Sequence, residues 1–226
     1  MRMARTGEAT AGVARGVGTG CPVGAEVGGG GAVVDQNRRM SDGSRVLYII
    51  VCAAGPAGSV GRLVGLAQNA GWAVQVVATP SALAFVDVGA IEEQTGRPVR
   101  SRYRKPSEPR SRRADAIIVA PATYNTINKF AQGIADTYAL GLLAEASGLG
   151  IPVVVLPFVN SALADRVPFR RSLEQLRAEG IRILFGPGGS EPHAPGTGGD
   201  LVDTFPWHLA LRATASGRRQ TTHQER

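Results

Sequence analysis

Histidine is scarce in these 226 residues: three occur, and none precedes His193. The only candidates for a histidine metal cluster, His193, His208 and His223, lie late in the chain and lack metal-ligand spacing. No Gly-x-Ser-x-Gly elbow and no Cys–His pair suggests a nucleophilic hydrolase. Two cysteines, Cys21 and Cys52, sit in unlike contexts, one in a glycine-rich stretch and one ending an apolar run. They do not make a disulfide framework, and a reducing compartment, the cytoplasm, is the expected location. No run of about 18 apolar residues is present, so no membrane-spanning helix is expected. The first residues hold no continuous apolar core of a signal peptide. Aromatics are 5% of the chain, which suggests small residues in loops and arms.

What is abundant is glycine, with 30 residues, and positive charge, with a formal net of +7. The charge is localised. Residues 98–113, "VRSRYRKPSEPRSRR" after Pro98, hold seven basic residues against one acidic, whereas 114–211 are net acidic. Tyr103 is the one aromatic there, and the prolines suggest a mobile, solvated loop with an anionic ligand or partner as the alternative. Nucleic acid is not expected as a partner. Residues 1–44 show no sustained period and end in a glycine run, which predicts a disordered arm, with Met40 a candidate start. Residues 45–212 form the expected folded domain, and 213–226 a basic flexible tail.

Within that domain, apolar β-branched runs at 46–52, 72–78, 116–121, 151–157 and 181–186 read as strands buried on both faces. Helical patterns separate them. One places Val60, Leu63, Val64 and Ala67 on a single face, a long one spans about Ile127 to Ala146, and another opens at Pro168. The pattern predicts an α/β fold: a single doubly wound, Rossmann-like domain with a parallel sheet of five to six strands and helices on both faces. Ligands of such sheets sit beyond the carboxyl ends of the strands. This singles out loops 53–59, 79–81, 121–126 and 157–163, which carry small and hydroxyl residues instead of acid/base pairs. "AAGPAGS" enters a helix, where backbone N–H groups favour phosphate, or is simply a tight turn needing glycine.

The stretch "PATYNTINKFAQGIAD" resembles the Pro-Ala-Ser-Ala-Asn-Thr signature of the FMN-binding cysteine decarboxylases, with Thr123 for Ser and Tyr124 for Ala. That family comprises phosphopantothenoylcysteine decarboxylases and the peptidyl-cysteine decarboxylases of lantibiotic-type maturation. "TPSALAF" is similar to the family's Thr-x-x-Ala-x-x-Phe, and "LPFVNSALADRVPF" to its Pro-x-Met-Asn-x-x-Met-Trp segment, with Pro157 and Asn160 in register. The resemblance covers about 46–186. It implies FMN as cofactor, with Gly55 and Ser59 near its phosphate and Thr79 and Ser81 on the next strand end. Pro121, Ala122, Thr123 and Thr126 would line the ring side. Asn125 is implied as the carboxamide that holds substrate, with Asn160 and Tyr124 as further catalytic candidates and no metal. The implied reaction is oxidative decarboxylation of a cysteine-containing peptide or small thiol, by a trimer or an assembly of trimers. The stripe "TYALGLLAEA" fits such an assembly and equally fits packing on its own sheet.

Three departures stand against the match. The family's active-site histidine, fourteen residues before the signature proline, corresponds to Ser107, and removing a general base costs on the order of 10²–10⁴ in rate. The late loop "GPGGSEPHAPGTGGD" lacks the reducing cysteine of the pantothenate enzymes, which argues against coenzyme A biosynthesis. Val159, Leu163 and Ala164 replace the two Met and the Trp. A non-catalytic regulatory flavoprotein of the same fold is therefore the alternative, and a flavin prenyltransferase a further one, although the Arg-Glu-x-Pro of that group is absent after the fourth strand.

Overall fold

The computed structural model describes residues 43–108 and 110–215. Residues 1–42 of the expected arm (1–44) and residues 216–226 of the expected tail (213–226) lie outside the described residues. Five parallel strands form one sheet: β1 (Val46–Val51), β2 (Ala73–Ala78), β3 (Ala116–Ala122), β4 (Val153–Pro157) and β5 (Arg182–Ile183), in the order β2-β1-β3-β4-β5. Every residue of β1 to β4 is buried, because helices cover both faces and leave no side of the pleat to solvent. The doubly wound α/β architecture read from the sequence is the one observed.

On one face, α1 (Gly61–Asn69), α2 (Val88–Thr95) and α7 (Trp207–Ala215) pack on Leu47, Ile49, Ile118 and Leu156. The expected stripe of Val60, Leu63, Val64 and Ala67 is fully buried there. On the other face, α3 (Tyr124–Ala131), α4 (Tyr138–Gly148) and α6 (Val167–Ala178) pack on Ile50, Ile117, Val119 and Val155. A short α5 (Ser161–Ala164) precedes α6.

Four sequence expectations need correction. The long helix from Ile127 to Ala146 is two helices, α3 and α4. Gly133 adopts φ +70, a left-handed conformation that stops α3, and Thr137 caps α4 by accepting from the Leu140 N–H at 3.3 Å. The run Gly133 to Asp136 is thus a connector, pinned where Asp136 pairs with Lys129. The fifth strand is two residues instead of six, because the chain turns back after Leu184: Ser190 donates its N–H to the Leu184 carbonyl at 3.1 Å. Pro121 lies inside β3 and does not end it, with a shift of register between Val119 and Ala122. The expected boundary at 212 also moves, since α7 runs on to Ala215 and buries Ala213.

Segment 98–113 is not a free loop along its whole length. Arg100 bridges Val77 on the outer edge of β2, donating to the Val76 carbonyl at 3.1 Å and accepting from the Ala78 N–H at 2.8 Å. At its far end the Tyr48 hydroxyl donates to the Arg112 carbonyl at 2.8 Å. Between these anchors residues 102–107 are exposed. The apolar stripe of α4 is spent at home: Ala139, Leu140, Leu143 and Ala146 are buried against the chain's own sheet.

Candidate functional site

The strand order reverses direction between β1 and β3, so the loops leaving those two strands part to opposite faces and leave a crevice between them. The loop after β1 becomes a short 3-10 turn, Gly55–Ser59, in which Pro56 and Ala57 are buried while Gly55 and Gly58 face outward. The loop after β2 is a second such turn, Pro80–Ala84, with Thr79 half-buried before it and Ser81 exposed. These two turns abut. A Cβ built on Gly58 would lie 3.2 Å from the Phe85 carbonyl oxygen, so a glycine there lets the neighbouring backbone approach.

After β3, Thr123 is extended and caps α3, its hydroxyl accepting from the Thr126 N–H at 3.4 Å. The two hydroxyls, Thr123 Oγ1 and Thr126 Oγ1, also share a hydrogen bond of 3.0 Å. A capping threonine of this kind is worth about 1 kcal/mol, and it fixes the turn that carries Tyr124 and Asn125. Asn125 is exposed at the first turn of α3. Tyr124 turns inward: its ring stacks on Phe169 of α6 with centroids 5.5 Å apart and packs against the core. Ala122 is fully buried, and Pro121 accepts from the Cys52 N–H at 3.2 Å, which ties the ends of β1 and β3 together.

Cys52 is buried at this seam. Burial pushes its thiol above the usual range, only partly offset by hydrogen bonds from Thr126 and Thr123. A neutral, enclosed thiol is a packing group and not a nucleophile.

After β4, Asn160 caps α5 by accepting from the Leu163 N–H at 3.0 Å. The late loop folds onto this strand end. His193 pairs with Asn160 in an isolated parallel bridge, and its carbonyl accepts from the Ser161 N–H at 2.7 Å. The His193 ring lies 4.6 Å from that of Phe158, and its Nδ1 is buried with no hydrogen-bond partner. Phe158 meets Phe205 edge-on at 5.7 Å, and a Cβ on Gly55 would touch Val202 at 3.1 Å and Phe158 at 3.5 Å. An aromatic wall of Phe158, His193 and Phe205 therefore stands beside the 3-10 turn after β1.

Gly55, Ser59, Thr79, Ser81, Thr123, Asn125, Thr126 and Asn160 thus all come from loops or first helical turns at one end of the sheet. Pro121 and Ala122 close that end from below as the last residues of β3. From the sequence, His193 could reach the site only if its loop folded over it, and the loop does so by pairing with Asn160. Phe158 was unmarked. Ser107, at the position of the family's histidine, is exposed in a turn of the basic segment. His208 is exposed on α7, and His223 lies outside the described residues. Among the described residues no group of histidine, cysteine and carboxylate side chains is arranged for a metal ion.

Exposed glycines at a tight turn, paired hydroxyls, the exposed amide of Asn125 and an aromatic cluster with an orphaned imidazole nitrogen suit a planar, phosphorylated cofactor. Comparison with known proteins agrees. Residues 35–200 match the model of the Flavoprotein family. The coenzyme A biosynthesis bifunctional protein CoaBC of Thermococcus kodakarensis is 28% identical over 117 residues, 49% of this chain and 29% of that protein. The dihydromethanopterin reductase (acceptor) of Methanosarcina mazei is 33% identical over 66 residues, 29% of this chain and 28% of that protein. The chain thus matches less than a third of the length of these relatives. Among solved structures, the FMN-dependent cysteine decarboxylase SpaF superposes with a TM-score of 0.57 at 27% identity, covering 77% of this chain and 98% of its own. HAL3 from Cryptococcus neoformans gives a TM-score of 0.59 at 24% identity over 76% of this chain and 99% of its own, a likeness of fold. With nearly three quarters of its length under the family model and the switch-point crevice built from the matching residues, the chain belongs to the Flavoprotein family.

Proposed function

We propose that this protein binds FMN in the crevice between the β1 and β3 loops and acts as a decarboxylase of a cysteine-containing peptide or related small thiol. The observation that carries this reading is the turn Pro121–Thr126, folded at the switch point beside the β1 turn with Asn125 turned to solvent. Its similarity to the FMN-dependent cysteine decarboxylase SpaF supports the reaction type. The chemistry FMN supplies when bound is removal of two electrons from the Cβ–S unit of cysteine, which lowers the barrier to losing CO₂.

The chain's own residues bind and orient. Gly55, whose N–H precedes the first bond of the 3-10 turn, and the hydroxyl of Ser59 are the groups that would meet a phosphate. Thr79 and Ser81 extend that polar rim, and Thr123 and Thr126 present hydroxyls to the ring edge. The carboxamide of Asn125 reaches the substrate carboxylate, and Asn160 holds the late loop against the site through its bridge to His193. His193, held at these loops by its bridge to Asn160, takes the acid/base role that Ser107 cannot fill. The protein works in the cytoplasm, as a trimer or an assembly of trimers. A regulatory flavoprotein without catalysis is the second reading, favoured by one observation: Ser107 is an exposed serine where the family has its base.

Purified protein is expected to be yellow, or to take up added FMN. With peptides ending in cysteine, mass spectrometry is expected to show loss of carbon dioxide and two hydrogens. A colourless protein that also refuses FMN overturns the cofactor assignment. Flavin uptake with no turnover of any cysteine peptide or small thiol favours the regulatory reading.

A further inference from the structure

A second cavity, of about 790 Å³, opens away from the strand-end crevice, between the basic segment and α4. Its lining shares no residue with the loops after β1, β2, β3 or β4. The size falls within the range of small-molecule sites, about 300–1,000 Å³. The floor is apolar, from Ile117, Ala146 and Ile151, and the Tyr103 and Tyr138 rings meet edge-on at 5.2 Å on its rim.

The charge on the walls is one-sided. Five arginines line the cavity, at 100, 104, 110, 112 and 113, against a single carboxylate, Glu145. Among the described residues, what these guanidinium groups bond to is neutral. Arg104 donates to the carbonyls of Lys105, Pro106 and Glu108, Arg112 to that of Ser44, and Arg113 to that of Leu149. The carboxylate of the segment, Glu108, pairs with Arg102, which does not line the cavity. Arg100 adds a buried Nε with no hydrogen-bond partner, a donor left unsatisfied where desolvation is unfavourable. Carbonyl acceptors orient guanidinium groups without neutralising them, so the cavity keeps a positive field over an apolar, aromatic floor.

We infer that this cavity is a second binding site, for a small organic anion with a flat apolar body, of the aryl phosphate, sulfonate or carboxylate class. The anionic group meets the arginine wall, and the body lies on Ile117 and Ala146 beside the tyrosines. A nucleic acid fits less well, since the hollow has the size of one small ligand and Tyr103 is the lone aromatic of the segment.

The test is fluorescence titration of the FMN-saturated protein with 8-anilinonaphthalene-1-sulfonate, an aromatic anion. Saturable binding of one equivalent per chain, undisplaced by excess FMN, is expected. R104E/R110E is expected to weaken it about tenfold or more, and the single exposed change R110Q about threefold. R170E/R171E, which removes equal charge from the exposed face of α6, is expected to leave it within about twofold. Loss of bound flavin reports a misfolded variant, and R110Q then decides alone. Absence of saturable binding, displacement by FMN, retention in both segment variants, or equal loss in R170E/R171E overturns the site. Strong displacement by heparin, together with that equal loss, assigns the binding to general polyanion attraction.

Discussion

Replacing Gly141 with alanine sets two opposing terms against each other at the wall of the arginine-lined cavity. Gly141 sits inside α4, and a Cβ there would lie 2.2 Å from the Tyr103 hydroxyl oxygen and 3.3 Å from its ring. Contact at 2.2 Å is not tolerated, so the tyrosine must leave. It is able to, because it is 60% exposed on the basic segment and is not walled in by backbone. The helix gains from the change: alanine is about 1 kcal/mol better than glycine in a helix interior. The displaced ring loses its edge-on contact with Tyr138, worth about 0.5–1.5 kcal/mol. The sum is near zero. Global stability in a urea titration is therefore expected to change by less than about 1 kcal/mol. The loosened segment should nevertheless be cut faster by trypsin at Arg102 and Arg104 in the native protein, and the anilinonaphthalene probe should bind more weakly. A loss above about 2 kcal/mol would mean that Tyr103 cannot swing out, and an unchanged cleavage rate would mean that it never held the segment. Either result refutes the reasoning.

Further predictions concern the crevice and its supports. Thr123→Ala removes the α3 cap and is expected to cost about 1 kcal/mol and to lower FMN affinity, whereas Thr123→Ser retains both; urea unfolding and flavin titration check this. His193→Asn is expected to keep the fold and bound flavin while lowering kcat; an unchanged kcat removes His193 from the proton chemistry. In a Cys21→Ser background, Cys52 is expected to resist alkylation until the protein unfolds. Because burial raises its thiol pKa in the folded state, the stability it contributes is present below the ordinary thiol range and declines as pH rises above it, where the unfolded chain ionises first. Glu108 has the opposite sign. The Arg102 guanidinium beside it holds its carboxyl below the ordinary range, so its grip on the segment is present at neutral pH and lost as pH falls through that lowered value, read as faster amide exchange in 102–108.

Strand and helix type were legible because burial leaves a period in the sequence. β1 to β4 are continuous β-branched runs, as both-faced burial requires, and α1 shows its buried face at Val60, Leu63, Val64 and Ala67. The split between α3 and α4 was also written locally, in Gly133 and in Thr137 three residues before Leu140, but an unbroken apolar pattern masked it. The premature end of β5 has no such local mark, since "IRILFG" continues to read as strand while the backbone bonds back on itself at Ser190.

The sequence by itself determined the alternating α/β chain and carried the Pro121–Thr126 motif on which the family resemblance rests, because local propensity and a short contiguous motif need no distant contacts. It also determined where the positive charge resides. The tertiary structure decided which distant loops share one crevice, since strand order is set by long-range pairing that leaves no trace in any single segment. It placed His193 on Asn160 across 33 positions of chain, turned Tyr124 onto Phe169, and drew the basic segment over α4 to enclose a cavity. Each of these depends on contacts between surfaces that exist only once the sheet has formed.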